Sequence, residues 1–174
     1  MNEQEALSLA IKREKEAHRY YSDAANKTTS ESGKKMFSWL ASEEMGHIKI
    51  LEKQWEKVKE EGMWLSEEGY CSYGDISNPI ECTEFPSASE AKGELKEDAP
   101  ELEILKEAIA AERQATSFYA DLAKNTSDPS GKAMLEKLSR VEQGHLDLLE
   151  EEYEWLRRSK EFFTVHRFTL PSSA

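Results

Sequence analysis

The chain has 174 residues, 33% of them charged and 38% hydrophobic, with eight Gly, five Pro and a formal net charge of -12. That length fits one domain, and that composition suits long solvated helices better than sheets. The acidic balance, with no cluster of Lys and Arg, excludes nucleic acid and an anionic membrane as expected partners. No apolar run approaches the ~20 residues that span a bilayer, and no basic-then-apolar leader opens the sequence, so a cytoplasmic protein is expected.

From Leu7 the apolar or small residues Leu7, Ala10, Ile11, Ala17, Tyr21 and Ala24 fall at the three-and-four spacing of one helix face. Glu14 takes a slot that a hydrophobe should fill. Asn26 to Gly33 is a polar break, with Ser30 placed to cap a second helix. In that helix Met36, Leu40, Leu51, Trp55 and Val58 form the face, and Glu44 and His47 occupy two of its inward positions. The break is short, so the two helices form an antiparallel hairpin over residues 3–61.

Residues 62–100 are too long for a turn and too aromatic (Trp64, Tyr70, Tyr73, Phe85) for pure disorder. They are expected to cross the length of a bundle as an ordered segment with room for a short helix. Cys71 and Cys82 both fall here without Cys-x-x-Cys spacing. They read as free thiols, a disulfide being the other option. A second hairpin follows over 101–160: Leu105, Ala108, Ile109, Ala115, Tyr119 and Leu122 surround Glu112, and Met134, Leu138 and Leu149 flank Glu142 and His145. Asp128 caps its second helix, with Pro129 at the first helical position. The tail, 161–174, is apolar-rich and fits docking on the bundle or on a second subunit. The four tryptophans, Trp39, Trp55, Trp64 and Trp155, read as packing residues, and His18 and His166 as surface or packing ones.

The second hairpin repeats the first. At an offset of 98, Leu7–Glu52 matches Leu105–Glu150 at 19 of 46 positions without a gap. Glu14, Glu44 and His47 thereby become Glu112, Glu142 and His145. In an antiparallel hairpin, residues equally far from the turn lie side by side. Glu14 and the Glu44/His47 pair straddle the first break, and Glu112 and the Glu142/His145 pair straddle the second. All six should meet at one level of the core, since i, i+3 spacing puts both members of each Glu-x-x-His on one face. Four carboxylates buried together would repel one another unless something neutralised them. Two divalent cations do so with both histidines neutral. Oxygen and imidazole donors without thiolate favour iron, with manganese or zinc as other occupants.

One Glu from each of two helices plus Glu-x-x-His from each of the other two is the ligand set of ferritin-like di-metal bundles. The fold class expected is therefore all-α, a ferritin-like four-helix bundle of two repeated hairpins. In it Glu44 and Glu142 bridge the metals, Glu14 and Glu112 are terminal ligands, and His47 and His145 take one metal each. Tyr21 and Tyr119, two helical turns after Glu14 and Glu112, are candidates for hydrogen bonds to ligand carboxylates, with core packing as the other reading. Gly46 and Gly144, inside the two motifs, suggest close approach of a neighbouring helix.

The segments Ala10–Tyr21, Gly33–Phe37, Glu43–His47 and Glu112–Tyr119 resemble the di-iron domain of rubrerythrins over about residues 3–156. The resemblance implies a non-haem di-iron oxidoreductase that reduces hydrogen peroxide or dioxygen with electrons from a rubredoxin-like donor. Full-length rubrerythrins carry a rubredoxin domain with paired Cys-x-x-Cys motifs. None is present in this sequence, so the donor is expected to be a separate protein. Family peroxidases also add a glutamate where this chain has Ala115, which leaves a symmetric six-ligand site. Oxidase chemistry, ferroxidation with iron storage or transfer, and a non-redox metal-binding bundle therefore stand beside peroxide reduction. A homodimer is the expected assembly.

Overall fold

A computed structural model describes residues 2–73, 76 and 100–159. They form α1 (Glu3–Lys27), α2 (Glu31–Glu61), the short α3 (Glu67–Cys71), α4 (Pro100–Asn125) and α5 (Pro129–Ser159), with no strand among the described residues. The expected all-α bundle is the fold observed. Cys82, His166, the tail and most of the crossover lie outside the described residues; Cys71 is exposed and carries a free thiol.

The ends of the helices follow from local chemistry. Asn2 and Glu5 make a reciprocal capping box at the start of α1. Ser30 Oγ accepts from Gly33 N at 3.2 Å, and Asp128 Oδ1 accepts from Ser130 N at 2.8 Å and Gly131 N at 3.0 Å. Each cap satisfies backbone donors that the first turn leaves without partners. Gly62, at φ 68°, ends α2 in a left-handed conformation that other residues adopt only at a cost.

Side-chain contacts fix the directions. Lys15 meets Glu52 at 2.6 Å, and Arg113 meets Glu150 in the same repeat position, so each hairpin is antiparallel. Tyr20 Oη donates to Ile104 O at 2.7 Å, while Arg13 lies 4.4 Å over the Phe118 ring, so α1 and α4 also run antiparallel. Helices pack closely within each hairpin, and the hairpins meet more loosely. That looser seam is where the buried polar residues lie.

Two apolar layers bracket the seam. Leu7, Ala10, Ile50, Leu51, Val58, Tyr119, Met134 and Leu138 belong to one. Their equivalents 98 positions away, Leu105, Ala108, Leu148, Leu149, Leu156, Tyr21, Met36 and Leu40, belong to the other. A pseudo-twofold axis thus exchanges the layers and passes between them. Among the described residues, the crossover breaks the symmetry by adding Trp64, Tyr70 and Ile76 to the first layer and none to the second. Trp64 lies so close to Gly131 that a Cβ there would sit 2.4 Å from the indole. Gln54, fully buried, ties the crossover down by accepting from Leu65 N at 2.8 Å and donating to Leu65 O at 3.2 Å.

Candidate metal centre

Helical spacing places Glu14 on α1, Glu44 and His47 on α2, Glu112 on α4, and Glu142 and His145 on α5, all facing the layer between the two apolar clusters. No more than 3% of any of the six is exposed. Their donor atoms fall into two overlapping sets, Glu14, Glu44, His47 and Glu142, and Glu44, Glu112, Glu142 and His145. Within each set the atoms lie within 4.8 Å of one another. Glu44 and Glu142 belong to both, and each terminal Glu joins the histidine of its own hairpin.

Both imidazoles turn Nδ1 toward the carboxylates. His47 Nδ1 lies 3.0 Å from Glu44 Oε2, 3.2 Å from Glu142 Oε1 and 3.5 Å from Glu14 Oε2. His145 Nδ1 lies 3.1 Å from Glu142 Oε2, 3.4 Å from Glu44 Oε1 and 3.9 Å from Glu112 Oε1. Only the i, i+3 contacts within each motif have hydrogen-bond geometry. Glu44 Oε1 and Glu142 Oε1 are left buried without a hydrogen-bond partner, as is Nε2 of each histidine. Buried oxygens without donors are costly in a protein interior, and a cation between the two carboxylates would satisfy both. Nδ1 is the ring nitrogen available to it. The residues therefore fit a pair of divalent metal ions, four carboxylates balancing two of them.

Without metal, the same residues settle their charges with protons. Burial, then the charges of Glu142 and Glu44, holds the Glu14 and Glu112 carboxyls well above the usual range. Burial would raise Glu44 and Glu142 as well, but contacts from His145 and His47 outweigh it and keep both below. For the histidines burial favours the neutral ring; facing carboxylates reverse this and push both well above the ordinary value. At a pH between the lowered and the raised values, two imidazolium ions face two carboxylates beside two neutral carboxyls, and the cluster sums to zero.

The phenols cross between hairpins. Tyr21 Oη donates to Glu112 Oε1, and Tyr119 Oη donates to Glu14 Oε1. Burial, then the nearby carboxylates, raises both phenols and keeps them as donors. Sequence spacing marks the tyrosines but not their targets, because each reaches the helix of the opposite hairpin. His18 stays outside the cluster, its Nδ1 2.7 Å from Ala41 O. Trp39 packs edge-on to the His145 ring, centroids 5.6 Å apart. Nothing in the repeat announced that contact, since position 137 holds Lys. A cavity of about 480 Å³ between α1 and α4 reaches Glu14, Glu44, Glu112 and Glu142, and Ala17 and Ala115 line its sides.

Comparison with known proteins bears on the fold and the family. A hypothetical protein from Pyrococcus furiosus has a solved structure that superposes with a TM-score of 0.68 at 25% identity, covering 94% of each chain. Curated proteins give no significant match. The sequence profile of the rubrerythrin family matches residues 5–73 and 83–168. The chain belongs to the rubrerythrin family.

Proposed function

We propose that this chain is a di-iron carboxylate oxidoreductase that reduces hydrogen peroxide or dioxygen, with electrons delivered by a separate protein such as a rubredoxin. The observation that carries this reading is the pair of donor sets sharing Glu44 and Glu142. Glu14 and His47 would hold one metal, Glu112 and His145 the other, with Glu44 and Glu142 between them. Two ferrous ions bound there would supply the two electrons that reduce peroxide to water.

The chain's own residues do the rest. Tyr21 and Tyr119 each hold a proton at Oη and fix one terminal carboxylate from the opposite hairpin, restricting its orientation. The apolar layers exclude water from above and below, and the α1/α4 cavity gives a small oxidant a route to the four carboxylates. Ala115 lines that route in place of the glutamate of family peroxidases, and this favours oxidase or ferroxidase chemistry as the second reading.

Anaerobic reconstitution with ferrous iron tests both. Two irons per chain are expected, together with reoxidation at a rate that depends on the oxidant. Faster reoxidation by peroxide supports peroxide reduction, and faster reoxidation by dioxygen supports the second reading. Uptake of iron far beyond two per chain would point instead to storage. Unchanged iron binding after Glu44→Ala with Glu142→Ala would sink the site assignment.

A further inference from the structure

The cavity between α1 and α4 is much larger than its floor requires. Its volume of about 480 Å³ compares with ~30 Å³ for one water in the liquid. Hydrogen peroxide or dioxygen would occupy only a small part of it. Its floor is acidic and its sides at Ala17 and Ala115 are small and apolar, while neither histidine lines it.

One wall carries an unusual charge. Arg13 lines the cavity and is held with its guanidinium 4.4 Å over the Phe118 ring. Among the described residues no carboxylate pairs with it, in a chain with 35 acidic residues. The other basic residue of the rim, Lys12, faces Glu16 at 3.8 Å and is largely cancelled. Opposite Arg13, its repeat equivalent Ala111 also lines the cavity, so the wall is positive on one side only. With two divalent cations on four carboxylates the floor is neutral, and Arg13 dominates the field above it.

We propose that this cavity binds a small organic carboxylate. The anion's carboxylate is met by the planar fork of Arg13, and its apolar body lies between Ala17 and Ala115 over Glu14 and Glu112. The inference rests on the two-metal reading of the floor, and it gives the site a second ligand class besides a small oxidant. Cation stacking on Phe118 holds the guanidinium in place before the ligand arrives.

The test uses full-length protein loaded with two zinc ions, which removes redox turnover from the readout. Calorimetric titration compares butyrate with its neutral isostere butyramide. Butyrate should bind at least tenfold more tightly. Arg13→Gln should erase that preference with zinc content unchanged, Arg13→Lys should keep part of it, and Ala115→Leu should weaken both ligands alike. Equal affinity for acid and amide, or an undiminished preference in Arg13→Gln, would overturn the inference while leaving the metal site standing. Wild-type protein that retains no zinc would overturn the two-metal reading, and this inference with it.

Discussion

Loading the metal-free protein with two zinc ions should release close to four protons. The count follows from the cluster: His47 and His145 hold protons against the carboxylates, and Glu14 and Glu112 are held in the neutral form by burial and by Glu142 and Glu44. Glu44 and Glu142 are already ionised and contribute none. Two dications then replace four protons without changing the net charge of the interior. Since metal and protons compete, binding must weaken as pH falls. While all four groups keep their protons, the free energy of loading both ions changes by roughly 5 kcal/mol per pH unit, or about 100-fold in affinity per metal. An indicator dye in weakly buffered solution counts the protons, and calorimetry in buffers of different ionisation enthalpy checks the count. Release of fewer than two, or affinity that does not change between pH 5.5 and 7.5, would refute the charge assignment.

Other outcomes separate the roles of individual residues. Glu14→Gln with Glu112→Gln mimics the neutral carboxyls and should cost the metal-free protein under about 1 kcal/mol in denaturant titration. Glu44→Gln with Glu142→Gln strips two imidazolium ions of their partners and should cost about 3–5 kcal/mol; both double variants should lose metal. Tyr21→Phe and Tyr119→Phe each leave a buried carboxyl oxygen without a donor and should each cost about 1–3 kcal/mol, equal within error because the pseudo-twofold axis relates them. Gly131→Ala drives a methyl group into Trp64, and chemical unfolding should show a loss of about 1–3 kcal/mol. Stability that comes from the raised histidines is fully present below the ordinary value of 6.5 and is lost as pH climbs through their folded values. The metal-free protein should therefore melt at lower temperature at pH 9 than at pH 7, and the loaded protein should not.

Much of this was legible from one repeat and two short breaks. The 98-residue offset pairs Leu7 with Leu105 and Leu40 with Leu138, and in space those pairs become equivalent members of two apolar layers. Ser30 and Asp128 mark helix starts because their side chains have backbone donors to satisfy, which is a local property. Contacts between hairpins are of another kind. The seven-residue spacing puts Tyr21 on the face of Glu14, yet its hydroxyl reaches Glu112, because antiparallel α1 and α4 bring the phenol of one helix to the carboxylate of the other. Trp39 on His145 and Arg13 on Phe118 depend on where the loosely packed hairpins settle, and no periodicity encodes that. Gln54 was hidden for a similar reason, since its partner Leu65 belongs to an irregular segment with no repeat equivalent.

Two metals between Glu44 and Glu142 are the expected occupancy of the buried polar layer. Anomalous diffraction from crystals of the iron-loaded protein, recorded on both sides of the iron absorption edge, tests it directly. Two peaks per chain are expected, one beside His47 Nδ1 and Glu14, the other beside His145 Nδ1 and Glu112, with Glu44 and Glu142 reaching both. A single peak, or iron bound only outside this layer, would contradict that occupancy.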